Sequence, residues 1–192
     1  ALRRAAIILK YNGESKRAAK LFERYHDEHT SQADAPAMLY DAGLMHEEAG
    51  DYNEMARVFD KFRGDYGGDP DLRVLVLTSY TKQADYFFER KDYKRAAGFY
   101  NKVMSLYQDN PSVGGVEANY LAAKAQFVLG DIEFQDWAEI SLSGTLTTFK
   151  KKFGEKREAS KRVAAKFTQV VAYKNTEWTL AANYRIGSMF HE

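Results

Sequence analysis

The residue types that could perform chemistry are sparse in this 192-residue chain. His26 and His29 lie three positions apart, which would place both imidazoles on one face of a helix. A metal site needs at least one more ligand, and no third ligand is evident near this pair. We therefore interpret both histidines as solvated residues at a helix end, and we predict no bound metal.

Catalytic motifs are equally weak. Ser79 and Lys82 match a Ser-x-x-Lys pattern, but none of the motifs that accompany it in known enzymes is present. Gly64, Gly67 and Gly68 precede Pro70 and match no phosphate-binding loop. The chain has no cysteine, which excludes disulfides and thiolate chemistry. We predict a protein that is not an enzyme and has no cofactor.

A strongly basic run is the one charged feature with a functional interpretation. The net charge of the chain is +1, yet residues 150–166 carry +6 and residues 1–149 carry −5. The run could bind a polyanion, a membrane surface or an acidic partner, or it could be the solvated face of a long helix whose other face is apolar. A third possibility is intramolecular, with the basic helix against the acidic repeats. The candidate basic patch comprises Lys150, Lys151, Lys152, Lys156, Arg157, Lys161, Arg162 and Lys166.

The positioning of these residues depends on a repeated helical pattern. Short polar turns recur at Gly13, Gly50, Lys91 and Gly130, spaced by 37, 41 and 39 residues. A period of this size is typical of stacked helix–turn–helix units. With only three prolines and 45% apolar residues, the composition favours long helices around a sizeable core.

The residues that flank the turns predict which helix faces are buried. After each of three turns, a small or apolar residue is followed four positions later by an aromatic residue, which puts the two on one helix face. Pro70 and Pro111 mark the loops between units. The pairs are Ala18 and Phe22, Met55 and Phe59, and Ala96 and Tyr100.

This pattern resembles the tetratricopeptide repeat family. The second unit matches at Leu39, Ala42, Gly43, Gly50, Asp51, Tyr52 and Phe59, and the third at Tyr80, Ala84, Phe87, Asp92, Tyr93, Ala96 and Tyr100. The first unit matches at Leu2, Ala5, Ala6, Leu9, Gly13, Ala18 and Phe22, and the fourth at Tyr120, Ala123, Phe127, Gly130 and Asp131. His46 stands where the family has an aromatic residue, and we interpret it as a packed structural residue.

The period breaks after the fourth unit. Apolar residues at steps of three and four predict either one long helix over 134–171 or two helices joined near Gly154. Residues 175–192 then predict the first helix of a further repeat, whose second helix is missing. The predicted fold is an all-α, tetratricopeptide-like solenoid with repeats at about 1–30, 36–69, 72–110 and 117–133, and with one long helix in the C-terminal region.

The resemblance implies a scaffold or adaptor that binds a partner peptide or helix in a concave groove on the first helices. The alternative is nucleic-acid or anionic-surface binding through 150–166, with nucleic acid disfavoured by the low net charge. Self-association through the exposed last helix is a further expectation. The implied groove residues are Tyr40, Leu44, Glu47, Thr81, Asp85, Phe88, Leu121 and Lys124.

The expected compartment is the bacterial periplasm or cell envelope, with the cytoplasm as the alternative. The run from Trp178 to Phe190 resembles tetratricopeptide proteins of the deltaproteobacterial envelope and gliding-motility type. No apolar run approaches the roughly 20 residues of a membrane span. Because the chain begins with Ala1 and stops within an incomplete repeat, we expect it to be a piece of a longer protein.

Overall fold

The computed structural model describes residues 1–190, which fold into α-helices joined by turns, loops and two short 3₁₀ helices, Pro70–Leu72 and Val171–Tyr173; within this range there is no strand. The predicted all-α class is thus confirmed. His191 and Glu192, which the sequence analysis assigned to the last helix, lie outside the described residues. The α-helices are α1 Leu2–Tyr11, α2 Ser15–Glu28, α3 Ala35–Glu48, α4 Tyr52–Tyr66, α5 Arg73–Glu89, α6 Tyr93–Asp109, α7 Gly115–Ala138, α8 Leu146–Val170 and α9 Thr176–Ser188.

The helices form two compact units, the first of which spans Ala1–Tyr86. Its core is built by apolar faces of consecutive helices, with Phe22, Leu39, Phe59 and Phe62 fully buried. Ala18 and Met55 are buried as well, so the predicted core pairs on α2 and α4 are confirmed.

Three of the four predicted turns are present, and the backbone explains their sequence. Gly13 and Gly50 adopt φ of 75° and 71°, a left-handed conformation that glycine enters at no steric cost. Lys91 adopts φ of 59° without that freedom. The aspartates that follow the second and third turns begin the next helices, because Asp51 accepts from the Glu54 amide at 3.5 Å and Asp92 from the Arg95 amide at 3.1 Å.

The fourth predicted turn, at Gly130, is wrong. Helix α7 runs from Gly115 to Ala138 without interruption, so Gly130 is helical. A Cβ at this position would lie 3.0 Å from Cε1 of Phe167 on α8. This glycine therefore allows α7 and α8 to approach closely instead of reversing the chain.

The second unit starts at Phe87 and contains α6 to α9. Its core includes Phe134, Trp137, Val163 and Phe167, contributed by α7 and α8. The predicted start of the long helix near Phe134 is wrong, because 134–138 still belong to α7 and residues 139–145 form a loop.

The long helix itself is α8, and it passes Gly154 without a break. Thr145 begins it, since its hydroxyl accepts from the Thr148 amide at 3.3 Å. Among the described helices, none combines the length and the apolar character that crossing a bilayer would require.

Candidate functional site

The first helices of the first unit present a polar face held by ion pairs. Nζ of Lys10 lies 3.3 Å from Asp41, which links α1 to α3, and Nζ of Lys82 lies 2.9 Å from Glu47, which links α5 to α3. Leu44 stands one helical turn from both Asp41 and Glu47 and is half-buried. This face therefore offers a small apolar centre between two neutralised charge pairs.

Three residues predicted to line a groove lie in the core instead. The Tyr40 ring is 5.6 Å from those of Phe59 and Phe62, and burial raises the pKa of Tyr40 to about 12. The Thr81 hydroxyl is buried and donates to the carbonyl of Leu77 at 2.9 Å. Leu121 is buried as well. These three side chains therefore present little exposed area to a ligand at the surface.

The other predicted groove residues keep some exposure. Leu44, Glu47 and Asp85 belong to the first unit and are half-buried. Phe88 and Lys124 belong to the second unit and are half-buried too. Their role in binding a partner stays a prediction.

Arg63 is a buried cation that sequence reasoning did not single out. Its side chain is only 7% exposed, and its guanidinium lies 4.2 Å from the centre of the Tyr80 ring. It donates to the Ser79 hydroxyl at 3.0 Å and to the Gln83 amide oxygen at 2.6 Å. Burial lowers the pKa of Arg63. The sequence shows only an arginine three residues after an aspartate, which is typical of an exposed pair.

The prediction that His26 is a solvated residue is wrong. Its side chain is 2% exposed, with Nε2 2.9 Å from the Tyr66 hydroxyl and Nδ1 3.0 Å from Asp27. The hydrogen bond to Tyr66 links α2 to α4 and allows a polar ring to lie in the core. His29, in contrast, is exposed as predicted.

His46 is buried, in agreement with its interpretation as a structural residue, and it belongs to an ionic cluster. Its Nε2 lies 2.9 Å from Glu23, and potential metal-ligand atoms of Glu23, His46 and Glu54 lie within 4.8 Å of one another. The Arg57 guanidinium contacts Glu23 at 2.5 Å and Glu54 at 2.8 Å. Because this cation already neutralises both carboxylates, the geometry favours an ion-pair network over a metal centre.

All eight residues of the basic patch lie on α8. Some of their charge is used internally: Lys161 pairs with Glu158 at 2.7 Å, Lys166 lies 3.5 Å from Glu133 on α7, and Nζ of Lys156 lies 4.6 Å from the centre of the Trp137 ring. The patch therefore combines solvated cations with cations that hold α8 on α7.

The first half of α8 also exposes apolar side chains. Leu146, Phe149 and Phe153 are 71%, 39% and 52% exposed, and the two phenylalanine rings stack with their centres 6.1 Å apart. Positions 146, 149 and 153 share one helix face. We call these three residues the apolar stripe of α8.

The stripe leads into a groove of about 470 Å³ within the second unit. Phe153 and Ala164 of α8 line one wall, Ile186, Met189 and Phe190 line the other, and Trp137 also contributes. Three cations of α8 edge this groove, namely Lys156, Arg157 and Lys161. No sequence pattern indicated the groove, since its residues come from α7, α8 and the region from α9 onward.

Comparison with known proteins defines the class of the first helices. Residues 3–70, which span the helix pairs α1–α2 and α3–α4, match the tetratricopeptide repeat family. The described residues are thus all-α, and those that match the family model form tetratricopeptide-like helix pairs. Repeats of this family generally mediate protein–protein interactions. No curated protein matches the chain.

Proposed function

We propose that this protein is a non-catalytic adaptor that binds a peptide or helix of a partner protein. The match of residues 3–70 to tetratricopeptide repeats carries the proposal, because such repeats generally mediate protein–protein interactions. In the first unit, Leu44, Glu47 and Asp85 are the proposed contacts. In the second unit, Phe88 and Lys124 are the proposed contacts.

The chemistry of the first-unit contacts favours an apolar or amphipathic partner segment. Leu44 supplies an apolar contact, and Glu47, now paired with Lys82 at 2.9 Å, supplies a carboxylate that could exchange partners. The predicted groove lacks the cluster of lysine and arginine that recognition of a terminal carboxylate would use. A partner chosen mainly by its free C-terminus is therefore disfavoured.

Site-specific photo-crosslinking tests this proposal. Leu44 is replaced by p-benzoylphenylalanine in the full chain, which is then irradiated in the cells that make it. We expect one adduct of defined mass that is weakened when Glu47→Lys is added. Lys20, exposed on the second helix α2, is the matched control position. The same adducts from both positions, or none from Leu44, would overturn the proposed surface.

The proposed setting is an assembly of the bacterial envelope or motility machinery. The resemblance of the Trp178–Phe190 run to proteins of that type supports it. Fractionation of the source cells, with the tagged natural protein followed by immunoblot, tests the compartment. Recovery in the periplasmic or envelope fraction is expected, and recovery with a cytoplasmic marker would reject it.

A second candidate function is binding of an anionic surface through α8. The apolar stripe favours a lipid surface over nucleic acid, because exposed Leu146, Phe149 and Phe153 could enter a bilayer interface while phosphate contacts alone would not require them. Co-sedimentation with phosphatidylglycerol vesicles should weaken with salt and with Phe149→Glu, whereas Val116→Glu, at a residue of α7 that is 82% exposed, serves as the control. Binding to duplex DNA but not to vesicles would reject the lipid form.

Self-association through α9 is a further proposal. Leu180 and Tyr184 are 63% and 74% exposed on this helix, which leaves apolar area for a second copy. Analytical ultracentrifugation should show a dimer that Leu180→Glu dissociates. A monomer at all concentrations would reject it.

A further inference from the structure

We propose that the groove beside α8 binds an acidic amphipathic helix from a partner protein. This site lies wholly within the second unit and is separate from the contacts proposed at Leu44 and Glu47. It would give the adaptor an additional docking surface with its own partner chemistry.

The walls of the groove can bury an apolar helix face. Phe153 and Phe190 are 52% and 85% exposed at its edge, and buried Trp137 also lines it. From Phe153 to Ala164, α8 advances eleven residues, which is about 16 Å or three helical turns. A partner segment of comparable length could therefore lie along the groove.

The backbone of the occupant argues for a helix. An apolar groove offers few partners for amide and carbonyl groups, so a segment bound there must satisfy its own backbone hydrogen bonds. Within residues 1–190 there is no strand whose edge could pair with an extended peptide. A helix meets this requirement and presents an apolar stripe of its own.

The charge on the groove edge argues for an acidic occupant. Lys156, Arg157 and Lys161 all come from one wall. Glu158 offsets Lys161 at 2.7 Å, and the 150–166 segment as a whole carries +6. Carboxylates on the flank of a bound helix would pair with these cations where solvent is partly excluded, and a basic helix would be repelled.

Two other occupants fit less well. A second copy that docks by its own α8 would bring one basic segment against another, which is unfavourable. A bilayer could cover the exposed stripe, but a flat surface would not reach the buried Trp137. We therefore favour a protein helix over both.

A direct binding measurement with designed peptides tests the proposal. The probe is a fluorescein-labelled 18-residue helix with leucine on one face and alanine and glutamate elsewhere; its counterpart has lysine in place of glutamate. Fluorescence anisotropy with the full chain should give at least tenfold tighter binding of the glutamate peptide. Phe153→Glu should weaken that binding at least tenfold, and Arg157→Glu with Lys161→Glu should invert the preference between the peptides.

Matched control variants distinguish binding in the groove from non-specific binding to the surface. Lys150→Glu with Lys151→Glu reverses two charges on the same helix outside the groove, and Val116→Glu removes an apolar residue of α7 that is 82% exposed and lies outside it; both should bind like the parent chain. Circular dichroism confirms that every variant is folded. Equal binding of both peptides, no effect of Phe153→Glu, or a loss of binding with the outside variants would overturn the proposal.

Two further outcomes would also overturn it. One is binding of phosphatidylglycerol vesicles, but not of the peptide, with dependence on Phe153. The other is a dimer that Phe153→Glu dissociates. The crosslinking experiment at Leu44 tests the first unit, whereas the peptide-binding experiment tests the second unit. A negative result in one experiment therefore does not contradict the proposal that the other experiment tests.

Discussion

Gly130 of α7 lies directly against the ring of Phe167 of α8. A Cβ added to Gly130 would come 3.0 Å from Cε1 of that ring and 3.4 Å from Cβ of Lys166. Phe167 is fully buried in the core of the second unit, so its ring has little room to move. The close approach of these two helices thus depends on the absence of a side chain at residue 130.

Replacing Gly130 by alanine changes stability in two opposite ways, through helix propensity and through core packing. Gly130→Ala gains up to about 1 kcal/mol of helix propensity but overpacks the core, so we expect a net loss of roughly 1 kcal/mol in the free energy of unfolding. Gly154→Ala on α8 is the matched control, because no atom lies within 4 Å of its added Cβ. That variant should gain up to about 1 kcal/mol. Urea denaturation measures both, and a Gly130→Ala variant as stable as Gly154→Ala would contradict the contact.

The local signals of the fold could be predicted from sequence. Gly13 and Gly50 adopt positive φ, and Asp51 and Asp92 begin helices, so the residues that mark each turn are the ones that form it. In sequence, Gly130 cannot be distinguished from the turn glycines Gly13 and Gly50, but in the structure it allows α7 and α8 to pack closely. One chain gives no means to distinguish a glycine that allows a turn from one that allows close approach.

The candidate sites were less predictable because they depend on non-local packing. Helix α3 is buried on several faces, at positions such as Leu39, Tyr40, Ala42 and Met45, so it has no single apolar stripe from which the exposed face could be inferred. The groove in the second unit joins Trp137, Phe153 and Ile186 from three helices. Only the tertiary arrangement brings those residues together.

The contact between Gly43 and Phe59 should behave as a coupled pair. A Cβ on Gly43 would overlap the Phe59 ring. We expect Gly43→Ala to cost about 1–3 kcal/mol by overpacking, and Phe59→Ala about 3–5 kcal/mol by leaving a cavity. The added methyl group fits that cavity. The double variant should therefore lose at least about 1 kcal/mol less free energy of unfolding than the sum of the two single losses. A double-mutant cycle by urea unfolding tests this, and additive losses would show that the two residues are not in contact.

Arg63 should contribute more stability than an exposed arginine. Arg63→Met removes the donors to Ser79 and Gln83 and the contact with Tyr80, and we expect a loss of about 2–4 kcal/mol. Arg63→Lys should recover less than half of it, since an ammonium cannot reproduce the planar fork. Arg24→Met is the control, because Arg24 is 62% exposed and pairs with Glu28 on the same helix; it should cost under about 1 kcal/mol. Thermal and urea unfolding measure all three, and equal losses for Arg24 and Arg63 would contradict the buried role.

Asp131 should make stability depend on pH. Burial raises the pKa of its carboxyl above 3.8, and Arg185, whose Nε lies 2.7 Å from Oδ1, lowers that pKa but does not cancel the effect of burial. Because the pKa of Asp131 is higher in the folded state than in the unfolded state, this carboxyl stabilises the folded state at acid pH. That stabilisation is lost as pH rises through the folded-state pKa.

The variant Asp131→Asn has no carboxyl at this position, so it cannot lose stability in this way. The free energy of unfolding of the variant minus that of the parent should therefore be larger at about pH 7 than at about pH 4. Urea unfolding at both pH values measures this difference. Asp136→Asn, an exposed change on the same helix, should show no such trend. A difference between parent and Asp131→Asn that does not change with pH would show that the pKa of Asp131 is not raised on folding.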